Sequence, residues 1–116
     1  MGIRYGAFFL AVAAGGLEIA GSVIGLGILH HGFLFGPGGL GTASTGVGFG
    51  LACALATIIC GVLLMFRHET RLLAGFVALA AGLGTLAAGP AFGLAGFVAL
   101  VAATLAWRVD PAAPLT

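Results

Sequence analysis

A single carboxylate, Glu18, lies in the middle of an uncharged apolar stretch, "AGGLEIAGS" (residues 14–22), with "YGAFFLAVA" before it and "VIGLGIL" after it. A charged side chain at the centre of a hydrocarbon layer costs at least about 2.5–3.5 kcal/mol. Either a bonded partner or a proton on the carboxyl removes most of that cost. No Lys or Arg falls inside any apolar stretch of the chain. Glu18 is therefore expected to be largely neutral at neutral pH and to donate a hydrogen bond to a hydroxyl or carbonyl. Ser22 lies one helical turn on, and Thr57, Thr85 and Thr104 sit in other apolar segments. Two roles fit such a group: a proton carrier, or a polar contact that locks helices together.

The remaining reactive side chains point to no catalytic or metal chemistry. The two cysteines, Cys53 and Cys60, are seven residues apart in one apolar run, or roughly 10 Å apart on a helix. That is too far for a disulfide, which needs Cα atoms within about 7 Å. His30 and His31 close the first apolar run, whereas His68 follows the second, so about 30 Å of hydrocarbon would separate them. They cannot share a haem or a metal within one chain. The pair His68-Glu69 lacks the second His of a zinc-protease helix. Residues 36–41, "GPGGLG", satisfy a dinucleotide-binding spacing, but no strand precedes them and no acid follows about 20 residues on. The chain is expected to be non-enzymatic, with no cofactor and no metal.

The elements that hold these residues follow from composition. Hydrophobic residues make up 61% of the 116, charged residues only 6%, and the net charge is +1; mean hydropathy is +1.26. A water-facing surface normally needs about 25% charged residues, and a charge this small holds no nucleic acid. The expected class is an all-α integral membrane protein forming one domain over residues 1–116. A crossing helix takes about 20 apolar residues, which predicts helices over residues 5–29, 45–66, 72–88 and 91–107. "RHET" (67–70) must meet water, with Thr70 able to cap the third helix. Gly89-Pro90 forces a tight reversal, and Asp110-Pro111 ends the fourth helix. Residues 30–44, "HHGFLFGPGGLGTAS", are apolar but rich in Gly and Pro, and are expected at the interface or folded over the bundle. With four crossings, Arg4, Arg67, Arg71 and Arg108 all fall on one side, predicting both termini in the cytoplasm of a multi-pass cell-membrane protein. Residues 11–13, "AVA", have the form of a leader cleavage site, but the apolar run continues past them and the first helix is expected to stay. "LAGFVALAA" (73–81) returns as "LAGFVALVA" (94–102), an echo that this restricted alphabet produces easily.

The 22 glycines suit helices that approach closely in lipid. Gly21 with Gly25, and Gly46 with Gly50, have small-xxx-small spacing, and Ala14, Glu18, Ser22 and Gly25 share one stripe. These faces are expected to pack helices within the chain and against other membrane subunits or copies of itself.

"GLEIAGS" in the first of four helices resembles the small multidrug resistance transporters, which carry a helix-one Glu followed by a Gly and a Ser or Thr. Glu18, Gly21 and Ser22 match those positions here. The resemblance implies an antiparallel dimer in which Glu18 exchanges protons for cationic drugs. The Lys that follows in that family is absent, and its third-helix signature is replaced by "AGFVALAAGLG" (74–84). A longer stretch is similar to an uncharacterised family of small four-helix membrane proteins common in actinobacteria. It covers "GLEI", the junction "CGVLLMFRHETRLLAGFVAL" (60–79), and a last helix ending in "LAWRVDPAAP". This second resemblance implies the same topology and no particular activity. The expected function is that of a structural or accessory subunit packing through Gly-rich faces. The alternative is a proton-coupled transporter using Glu18, and a weaker third is electron transfer with haem held by His30 or His31 beside another subunit.

Overall fold

The computed structural model of the chain describes residues 3–28, 41–67 and 69–109. Four helices form wherever Ala, Leu, Gly and Phe run without interruption: α1 (Ile3–Ser22), α2 (Ala43–Leu63), α3 (Thr70–Ala88) and α4 (Pro90–Trp107). α1 continues without a break into a π-helical segment, Val23–Ile28. The first predicted helix is thus continuous but changes pitch at Val23. α2 stops before residue 66 because Leu64–Phe66 tighten into a turn. Thr42 begins α2, its Oγ1 accepting from Thr45 N at 3.2 Å. The apolar connection predicted over 30–44 lies outside the described residues up to residue 40, as does His68.

The links explain the topology. α3 and α4 are separated by the single residue Gly89, whose φ of 91° suits only a residue without a Cβ. Pro90 follows at the first helical position, where its missing N–H is harmless. So short a link makes the two helices antiparallel neighbours, and the short link over residues 64–69 does the same between α2 and α3. α1 packs on α2 and α4, α3 packs on α2 and α4, and α1 and α3 face each other diagonally. The result is an all-α, up-down-up-down four-helix bundle. Three helices are long and apolar enough to cross a membrane, and the fourth apolar helix is shorter.

Antiparallel order brings the start of α1, the end of α2, the start of α3 and the end of α4 to one end of the bundle, so Arg4, Arg67, Arg71 and Arg108 meet there. Arg67 pairs with Glu69 at 3.1 Å in the open, and the neighbouring carboxylate holds the guanidinium above its ordinary pKa. Arg71 lies over Trp107, 5.5 Å from the ring centre. Thr70 does not cap α3. Glu69 holds the N-cap position without a side-chain bond to the helix start, and the Thr70 hydroxyl turns inward to make a long 3.5 Å bond to Val109 O. Burial of Thr70 beneath the end of α4 overrides the local capping preference.

The core is made of small residues. α1 contributes Ala7, Ala11 and Ala14, α4 contributes Ala99, Ala102 and Ala106, and α3 contributes Ala74, Ala81 and Ala88. The larger fully buried side chains are few, led by Phe92, Leu64 and Glu18. Phe92 fits because Gly84 opposes its ring. Leu94, Phe97, Ile28 and Phe9 instead face outward, each more than half exposed, so the apolar surface continues around the outside. The two "LAGFVAL" copies fall in different settings: Leu73 is buried and Leu94 is 79% exposed.

Gly21 and Gly25 meet the α3–α4 corner. A Cβ on Gly21 would lie 2.8 Å from Ala91 O, and one on Gly25 would lie 3.0 Å from Ala88 O. Both neighbours are backbone and cannot move aside cheaply. Gly21→Ala is expected to destabilise the bundle by about 1–3 kcal/mol. Gly82→Ala, where a Cβ meets open space, should leave the bundle as stable or raise its stability by up to about 1 kcal/mol. Thermal unfolding in detergent followed by circular dichroism separates the two.

Candidate functional site

The α1 stripe that faces the interior runs through alanines until it reaches Glu18, which is fully buried. Its side chain leans back toward the start of α1, as helical side chains do, and meets α2 at Thr57, also fully buried. Thr57 Oγ1 lies 3.3 Å from Glu18 Oε2 and 3.0 Å from Cys53 O. A hydroxyl carries one hydrogen, so Thr57 cannot donate to both acceptors at full strength. The shorter contact is the intrahelical one to Cys53. A protonated Glu18 resolves the conflict: its hydroxyl donates to Thr57 Oγ1, and Thr57 donates to Cys53 O. That chain of donors leaves no buried charge, and none of the arginines lies near enough to offset one.

Glu18 Oε1 has no hydrogen-bond partner among the described residues. An unpaired carbonyl-type oxygen of a neutral acid is a smaller burden than an unpaired carboxylate oxygen. It is still a buried acceptor in a site otherwise satisfied.

Of the hydroxyls open to Glu18 from the sequence, only Thr57 reaches its carboxyl. Ser22 bonds instead to the Glu18 backbone, its Oγ donating to Glu18 O at 2.9 Å. Thr85 and Thr104 likewise turn back on their own helices, to Ala81 O at 2.7 Å and Leu100 O at 2.9 Å. Ser22 nevertheless shapes the site. Its hydroxyl occupies the space that a methyl on Gly50 would take, so Gly50 allows α1 and α2 to close at this depth. The bond to Glu18 O also sits where α1 passes into π pitch at Val23, and back-bonds of this type bend helices. Gly46 is buried as well. The four glycines singled out in the sequence are thus turned inward in this chain.

A series with the same four-residue spacing faces outward on α2: Ser44, Gly48, Ala52 and Ala56 are all exposed. It is offset by two residues from the Gly46–Gly50 pair, and sequence spacing alone did not distinguish the inner series from the outer. Arg4 was likewise unrecognised as a buried group. It is 8% exposed, and its Nη1 donates to Leu64 O and, at 2.9 Å, to Arg67 O. It therefore caps the carbonyl end of α2, where a cation is favoured.

His30, His31 and the residue 36–41 glycine motif lie outside the described residues. Among the described residues no three His, Cys, Asp or Glu side chains group as a metal site, and Cys53 and Cys60 are free and buried.

The proton count makes a spectroscopic prediction. Infrared difference spectra at neutral pH should contain the carbonyl stretch of a neutral carboxylic acid. That band should vanish in Glu18→Gln and shift in Thr57→Val. Its absence from the wild-type chain would mean that Glu18 is ionised. No protein-family model, curated protein or solved structure matches this chain.

Proposed function

We propose that the chain crosses the membrane four times, with both termini in the cytoplasm, and serves as a structural or accessory subunit of a membrane assembly. Three helices of sufficient length and apolarity support the crossings. α4, with 18 residues, spans about 27 Å and would cross a layer of about 30 Å with slight local thinning. The gathering of all four arginines at one end favours the orientation, because positive loops stay on the cytoplasmic side. In this reading the chain is a member of the small four-helix family that its Cys60–Leu79 junction resembles.

The observation that carries the subunit role is the outward series Ser44, Gly48, Ala52 and Ala56. Small residues at four-residue spacing let a second helix approach closely in lipid, and a Cβ on Gly48 would meet open space within this chain. The partner is a copy of this chain or another membrane subunit. Gly48→Leu with Ala52→Leu is expected to leave helicity and melting unchanged, yet to release the chain as a monomer in mild detergent. A wild-type chain that already runs as a monodisperse monomer without a co-purifying partner overturns the role.

A second reading, proton-coupled transport, is favoured by the buried Glu18–Thr57 pair and the unpartnered Oε1. Glu18 would take up and release the proton that drives a substrate. Glu18→Gln keeps the side-chain shape and is expected to abolish pH-driven flux in proteoliposomes without unfolding the bundle. Unchanged flux in that variant ends the reading.

A further inference from the structure

At the arginine end of the bundle a groove runs between α3 and α4. Gly75, Ala78, Leu100 and Ala103 line it, with Trp107 and Arg108 at the end of α4 nearest the arginines. Gly75 leaves the groove open at its position, since nothing fills the space its Cβ would occupy. Arg71, one turn before Ala74 and Gly75 on α3, lies over the Trp107 ring. Two guanidinium groups are thus associated with this end of the groove, Arg108 in its lining and Arg71 through its contact with Trp107.

The charge of this end remains unbalanced. The chain has three carboxylate side chains against four arginines, and Glu18 is inside the bundle, away from this end. Arg67 is paired with Glu69, and Arg4 is engaged by the carbonyls of α2. Arg71 and Arg108 have no carboxylate partner among the described residues.

We infer that this groove binds an anionic phospholipid, its phosphate held between Arg71 and Arg108 and one acyl chain laid along Gly75, Ala78 and Leu100. The positive end selects an anion, and the apolar lining requires that the anion carry a hydrocarbon tail. Trp107 suits the boundary, since indole rings settle at headgroup depth. Basic pockets between helices on the cytoplasmic side are suited to acidic headgroups. The inference rests on the membrane part of the proposed function and is independent of the α2 series, which lies on the corner of the bundle diagonal to α4.

The full chain is reconstituted with equal phosphatidylglycerol and phosphatidylcholine of matched acyl chains, released into mild detergent, and weighed intact by native mass spectrometry. Retention of phosphatidylglycerol over phosphatidylcholine by about tenfold is expected from two basic groups near an anionic headgroup. Arg71→Gln with Arg108→Gln should erase the preference. Gly75→Leu keeps the charges but fills the groove and should lower retention of both lipids. Excess inorganic phosphate should leave the preference in place. Equal retention of the two lipids by the wild-type chain, or a preference that survives the double Gln variant, overturns the proposal. Displacement by inorganic phosphate also overturns it, by reducing the site to a simple anion site. Flotation of the chain with vesicles of both lipids is scored separately: a chain that floats without selectivity sinks this inference alone, and one that does not float sinks the membrane reading as well.

Discussion

The distance between backbones is the constraint on which this bundle depends. Gly21 stands against the carbonyl of Ala91, Gly25 against that of Ala88, and Gly50 against the hydroxyl of Ser22. With helices this close, the interior has room for methyl groups and little else, which accounts for the alanine-lined core. In a hydrocarbon solvent the apolar side chains gain nothing by leaving the surface for the interior. Van der Waals contact between close backbones is then what holds helices together. The bulky Leu and Phe side chains are accordingly free to point outward.

Among the described residues two side chains that are normally charged, Arg4 and Glu18, are buried within this frame, and each is accommodated differently. Arg4 lies at the end of α2, where helix carbonyls without intrahelical partners offer it acceptors, so its charge is kept. Glu18 lies well inside the bundle, where the available partner is a single hydroxyl already committed to Cys53 O. There the economical state is neutral, with the carboxyl acting as donor. The difference comes from position along the helices: helix ends supply free dipoles, and helix middles have theirs already bonded.

The borders between the last three helices were legible in the sequence because the charges around residue 67 and the Gly89-Pro90 pair break the apolar runs, whereas the first run gives way to an apolar stretch marked by its Gly and Pro. Close approach was legible from the four-residue spacing of Gly21 and Gly25, but the surface they approach was not, because spacing carries no azimuth relative to neighbouring helices. That is also why the inward Gly46–Gly50 pair and the outward Ser44–Ala56 series look alike on paper. For Glu18, the need for a polar neighbour could be read from its surroundings, whereas the choice of Thr57 depended on how far the side chain leans back along α1. Thr70 misled for a related reason: its local preference was to cap, and burial under Val109 made a different bond available.

The one-residue corner at Gly89 affects how such a chain can enter a membrane. With α3 and α4 joined by one residue, little slack exists to let the two helices part at that corner. Were both helices to cross, entry as one closed hairpin would be favoured, with no charged side chain at the Gly89-Pro90 tip. The far face of the bundle would then offer no strap of chain at that corner for a protease, an antibody or an inserted tag to grip.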